Sequence, residues 1–129
     1  MNKILVEVSV GELLDKISIL EIKKDRIKDS DKLKFINSEY EVLKNELKKN
    51  IKIDGKLEKL FLALKNVNSK LWIIEDDKRK CEKDSNFGED FIRLSRDVHF
   101  LNDTRAKIKL DINNHTGSKI KEIKEYTNY

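Results

Sequence analysis

Apolar residues recur along most of this chain at alternating spacings of three and four, the period that gathers them on one face of a helix. Leu13, Leu14, Ile17, Leu20 and Ile27 make the first stripe, and Ile19 and Ile22 widen it. Helix one is thus apolar on two sides, is predicted to run to about Lys28, and is expected at the centre of the fold. Ser9 stands three residues before Glu12, the capping-box spacing that starts such a helix. Asp29, Ser30 and Asp31 form a polar break that caps helix two. There Leu33, Ile36, Tyr40, Leu43 and Leu47 make a heptad seam.

Ile51 to Gly55 is the next connection, and helix three is predicted from about Lys56 to the Lys83 region. Its stripe is Leu57, Leu60, Phe61, Leu64, Val67, Leu71 and Ile74. Asn86 followed by Glu89 marks a cap-like start for helix four, with Phe87 and Phe91 as an apolar clamp. Leu94, Val98, Leu101, Ile108 and Ile112 continue it, and Gly117 suits a left-handed stop.

Two segments break the helical period. Residues 1–10 carry Ile4, Leu5, Val6, Val8 and Val10 interrupted by Lys3, Glu7 and Ser9. They read as a short extended segment that lies along the bundle or pairs with another chain. Residues 118–129 form a charged tail around Ile120, Ile123 and Tyr126, docking as a short helix or extending as an arm. The fold expected is all-α: an antiparallel bundle of three to four long helices in a single domain spanning 1–129. Leu13, Ile17, Leu64, Leu71, Leu94 and Val98 are the predicted core.

Composition supports that reading. The chain has no proline and four glycines, so turns are few and elements long. Charged residues (40%) outnumber hydrophobic ones (38%), the balance of long helices with one buried stripe. That apolar fraction is too low to hide every stripe within one small chain. With the heptad seam and the unpaired first segment, it points to a homo-oligomer, most simply a dimer. The net charge of +4 is dispersed among alternating acids and bases; with no basic patch, nucleic acid is not an expected partner. The opening residues are too short and too charged for a signal peptide, and no apolar run is long enough to span a bilayer. The lone Cys81 excludes an internal disulfide and fits a reducing, cytoplasmic setting.

The chemistry concentrates where polar residues continue apolar stripes. Asn68, Trp72, Glu75 and Arg79 share one face of helix three, with Asp76 beside them. Asn102, Arg105, Lys109 and Asn113 share a face of helix four, beside Asp103, and helix one contributes Glu12 and Lys16 next to Asp15. Convergence of these faces would make a charged cleft with a tryptophan wall. The plainer reading is solvated surface: Glu12 and Lys16, Glu75 and Arg79, Asp76 and Lys80, Glu89 and Arg93, and Asp103 and Lys107 are all acid-before-base pairs four apart. Each of these stabilises an exposed helix by only about 0.2–0.5 kcal/mol.

No HExxH, CxxC, glycine-rich phosphate loop or GxSxG is present, so neither a metal nor a cofactor is expected. Glu12 and Asp15 stand at the ExxD spacing of helical magnesium-dependent nucleotide hydrolases, without the companion ExxE helix.

Three stretches carry a wider resemblance: Val8-Ser-Val-Gly-Glu-Leu-Leu-Asp-Lys-Ile-Ser-Ile-Leu-Glu-Ile-Lys23; Leu71-Trp-Ile-Ile-Glu-Asp76 with Arg79; and Asn102-Asp-Thr-Arg-Ala-Lys107 with Lys109, Ile112 and Asn113. In these the chain resembles a family of uncharacterised short bacterial and phage proteins, a domain of unknown function. The resemblance implies that Glu12, Asp15, Lys16, Trp72, Glu75, Asp76, Arg79, Asn102, Asp103 and Arg105 belong to the family pattern, and it implies no activity.

The leading functional expectation is a small binding or assembly module that recognises an anionic, phosphate- or carboxylate-bearing ligand. Arg79 and Arg105 would grip the anion, oriented by Glu75 and Asp103, and Trp72 would cover an apolar part of the ligand. Asn68 and Asn102 would add neutral donors. The alternative is an enzyme acting on a phosphorylated or carboxylated metabolite, with Glu75 or Asp76 as acid/base.

Overall fold

The computed structural model describes residues 2–129; Met1, first in the predicted extended segment, lies outside them. Four helices follow in order: α1 (Val10–Arg26), α2 (Ser30–Asn50), α3 (Gly55–Lys83) and α4 (Glu89–Thr116). No strand occurs among the described residues, and none of the helices is long and apolar enough to cross a membrane.

Local chemistry sets the boundaries. Ser9 Oγ accepts from the Glu12 N–H at 3.0 Å, Asp29 accepts from the N–H groups of Asp31 and Lys32, and Asp54 accepts from Leu57 at 2.8 Å. Each thus satisfies donors that the first helical turn leaves orphaned. α4 departs from expectation. Its N-cap is Gly88, with no side-chain cap, because Asn86 turns on the Gly88 N–H at 3.3 Å instead. Phe87 and Phe91 still clamp that entry edge-to-face, with centroids 5.5 Å apart. Gly117 ends α4 in the left-handed region at φ 67°, where a Cβ is disfavoured.

Short connections make successive helices antiparallel, so α1 and α3 run one way and α2 and α4 the other. α1 is the hub: it packs on α2, α3 and α4, while α2 makes no close backbone approach to α3 or α4. Leu14, Ile17, Leu47, Leu57, Leu64 and Ile112 form the central core. Leu71 and Leu94 are also buried, whereas Leu13 and Val98, at the flanks of their stripes, stay half-buried. α2 is tied to α1 by Tyr40, whose hydroxyl donates to Glu21 at 3.1 Å with Lys24 over its ring at 4.0 Å.

α1 has 17 residues against 29 in α3, a shortfall of about 18 Å at 1.5 Å per residue. The loop end of the α3–α4 hairpin therefore projects beyond the three-helix region. Residues 2–9 are not helical, have no strand partner among the described residues, and leave Ile4 and Leu5 exposed. The tail from Ser118 forms no helix and returns along α4: Glu122 meets Lys109 at 3.2 Å, and Tyr129 bonds to Asp103 and leans on His99 and Phe100.

Candidate functional site

A buried polar cluster sits where α1, α3 and α4 come together. Asp15, 1% exposed, accepts from Arg105 Nε at 2.9 Å and from Arg105 Nη2 at 2.5 Å, the two-pronged geometry that suits guanidinium to carboxylate. Asn68 Nδ2 donates to the same carboxylate at 2.9 Å and to Ser18 Oγ at 2.8 Å. Ser18 in turn donates to the Asp15 carbonyl. Burial alone would raise the Asp15 pKa, but hydrogen bonds from Arg105 and Asn68 and the charges of Arg105 and Lys109 together hold it below its ordinary value. The bond to Asp15 correspondingly raises Arg105. No buried side-chain nitrogen or oxygen among the described residues lacks a partner, so this core polarity is internally satisfied.

Below it, α1 approaches α4 closely. The Gly11 N–H donates to Asn113 Oδ1 at 2.7 Å, and a Cβ on Gly11 would lie 2.6 Å from the Lys109 carbonyl oxygen. Lys109, itself buried, bridges Glu12 at 2.7 Å and Glu122 at 3.2 Å. Desolvation works against its charge, yet the two carboxylates win and its pKa is raised.

Above the cluster lies an open groove of about 350 Å³ between α1 and α3. Ile19 and Ile22 of α1 and Leu71 and Trp72 of α3 give its apolar surface; Asn68, Glu75, Asp76, Arg79 and Arg105 give its polar groups. Asn68 and Arg79 are eleven residues apart on α3, a rise of about 16 Å, so the groove is elongated, with Arg105 at the Asn68 end. Arg79 has no carboxylate within 4.0 Å among the described residues, whereas Asp76 pairs with Lys80 at 3.4 Å.

Of the sequence-predicted residues, Asn68, Trp72, Glu75, Asp76, Arg79 and Arg105 thus line one groove. Glu12, Lys16 and Lys109 do not: Glu12 and Lys109 form the lower ion cluster, and Lys16 is an exposed partner of Glu12 at 3.9 Å. Asn102 reaches only Arg105 Nη1, at 3.5 Å, and Asp103 points the other way, to Tyr129. The orienting scheme is therefore corrected. Asp15, not Asp103, orients Arg105, because α1 brings its carboxylate to the guanidinium while Asp103 lies on the outer face of α4. Nor do Glu75 and Arg79 pair within 4.0 Å, and Arg93 pairs with Asp90 in place of Glu89. Arg105 and Arg79 occupy opposite ends of the groove, the first with two N–H groups given to Asp15 and a third to Asn102.

Sequence reasoning placed Asp15 beside the polar face of helix one, in the ExxD pair and in the family pattern, without pairing it to Arg105, and gave Ser18 no role. The available signal was a small hydroxyl and an acid on the apolar face of helix one, where each needs a buried partner.

A family model described as "Family of unknown function (DUF6165)" matches residues 4–129. No curated protein and no solved structure matches the chain.

Proposed function

This chain belongs to the DUF6165 family, whose function is unknown, and we propose that it is a small helical binding module whose α1–α3 groove takes an anionic ligand with an apolar or aromatic body. The observation that carries the reading is Arg79: a guanidinium at the mouth of a mainly apolar groove, without a carboxylate of its own. A bound phosphate or carboxylate would supply that partner through two parallel hydrogen bonds. Trp72, Leu71, Ile19 and Ile22 would cover the ligand body, and about 350 Å³ falls in the range of small-molecule sites. At the far end Arg105 keeps two of its five N–H groups beyond those given to Asp15 and Asn102, so an elongated ligand with a second polar group fits better than a lone small anion.

The acid/base alternative is weaker on this geometry. Glu75 and Asp76 are both exposed on the rim, open to water, and Asp76 already faces Lys80. We also place the protein in the cytoplasm, consistent with its single cysteine, and read it as a homo-oligomer.

The test is a thermal-shift screen of nucleotides, sugar nucleotides and aromatic carboxylates, followed by calorimetry on any hit. A ligand that stabilises the wild type and loses about tenfold or more in affinity in Arg79→Gln, the scale of a charge-assisted hydrogen bond, supports the groove. A hit that binds Arg79→Gln and Trp72→Ala undiminished removes it.

A further inference from the structure

The outer face of the α3–α4 hairpin, away from α1, carries a second depression lined by Lys70, Ile73 and Ile74 of α3 and by Asp97, Phe100 and Leu101 of α4. Its centre is apolar. Ile73 is 46% exposed, and Phe100 stays 39% exposed although Tyr129 and His99 lean on its edges. Neither Lys70 nor Asp97 has an ion-pair partner within 4.0 Å among the described residues, although neighbours such as Lys80 and Arg93 do.

The register of the hairpin gives those two charges a use. Asp54 meets His115 at one end of the α3–α4 seam and Lys78 lies over Phe91 near the other. By that register Asp97 stands level with Trp72, two residues or about 3 Å along the axis from Lys70. Lys70 is on the α3 side of the depression and Asp97 on the α4 side. A two-fold axis lying in the face, parallel to the hairpin and midway between its helices, therefore sets Lys70 of one copy opposite Asp97 of the other, and Asp97 opposite Lys70. The same operation lays each α3 antiparallel to the α4 of the second copy, which makes a four-helix bundle over the apolar centre. A patch that meets its own copy must not repel itself: the lining carries one cation and one anion, and the neighbouring Arg96 is turned over the Phe100 ring, 5.7 Å from its centroid.

We propose that this face is a dimer interface occupied by a second copy of the same chain, with Ile73 and Phe100 at its centre and reciprocal Lys70–Asp97 pairs at its rim. The proposal rests on the reading of the chain as a homo-oligomer and is independent of the ligand groove. Sedimentation velocity on the full chain tests it. The wild type is expected as a dimer at micromolar concentration. Lys70→Asp or Asp97→Lys alone sets like charges face to face and should weaken the dimer by about tenfold or more. The combined Lys70→Asp and Asp97→Lys protein regenerates both pairs and should recover it. Phe100→Asp should give a monomer of unchanged helicity; should that variant fail to fold, the charge exchanges still decide. A monomeric wild type would overturn the self-association reading and this surface together. A dimer indifferent to every variant, or not recovered by the double exchange, would overturn this surface alone.

Discussion

Asp15 and Arg105 lie 90 positions apart in sequence, yet they meet through two hydrogen bonds at 2.9 and 2.5 Å. The carboxylate is almost fully enclosed, while the guanidinium keeps about a third of its side chain in solvent (30% against 2%). Closing α1 onto α4 thus buries an acid whose charge only a cation on α4 neutralises, and Asn68 from α3 completes its hydrogen bonding. One side-chain cluster locks the three helices in register.

Arg105→Lys is therefore expected to act first on stability. Lysine keeps the charge but cannot offer two parallel donors, and a loss of about 1–3 kcal/mol is the scale of charge-assisted hydrogen bonds. Thermal unfolding should show a lowered midpoint with the helical signal of the folded state unchanged. A double-mutant cycle with Asp15→Asn should return a coupling on the order of 1–3 kcal/mol. Additive effects would show that the pair does not act as a unit.

Acid should weaken the fold through the same residue. The folded-state pKa of Asp15 is lowered, so its contribution is fully present above the ordinary aspartate value of about 3.9 and is lost as pH falls through the lowered value. The melting temperature of the wild type should drop steeply below about pH 4. The gap between wild type and Asp15→Asn should narrow over that same interval. Lys109, whose pKa is raised, contributes in the opposite sense, and its share is lost only in strong alkali. A gap of constant size from neutral pH into acid would contradict the assignment.

Gly11→Ala isolates the contact between helices. In a free helix this change stabilises by about 1 kcal/mol. Here the new methyl would lie 2.6 Å from a backbone carbonyl oxygen, and overpacking of that kind costs about 1–3 kcal/mol. The balance predicts a net loss, read as a fall of a few degrees in melting temperature. A stabilised variant would mean that α1 and α4 are less closely packed than the backbone approach requires.

The sequence made the helices legible because each buries one stripe, and periodicity reports a stripe directly. Ser9, Asp29 and Gly117 marked ends because capping is local chemistry. Asn86 misled because an Asx turn and an N-cap draw on the same side chain within two residues. The stripe Asn68, Trp72, Glu75 and Arg79 shares the groove because all four lie on one helix, where spacing fixes their face. Asp15 was visible as half of an ExxD pair, but its partnership with Arg105 depends on how α1 and α4 slide past each other. Glu12 and Lys109 illustrate the same limit. Both looked suited to the site, and tertiary register paired them at the other end of α1.

The two arginines of the groove should separate cleanly, which makes them the sharpest probe of what the groove is for. Arg105 gives Nε and Nη2 to Asp15, so altering it changes the scaffold that shapes the site. Arg79 is exposed and has no carboxylate within 4.0 Å among the described residues, so Arg79→Gln should leave the stability of the ligand-free protein within about 0.5 kcal/mol of wild type, as surface substitutions usually do. With a phosphate- or carboxylate-bearing ligand in hand, the ranking should reverse. Arg79→Gln should lose roughly 1–3 kcal/mol of binding, and Arg79→Lys should recover only part of it, because lysine offers a point charge without the planar fork. Trp72→Ala should weaken ligands with an aromatic body and spare those without one. The decisive comparison is the binding loss of Arg79→Gln against the stability loss of Arg105→Lys, each by calorimetry on the same preparations. An Arg79→Gln protein that melts far below wild type would make Arg79 another structural cation and leave the groove without an anion site.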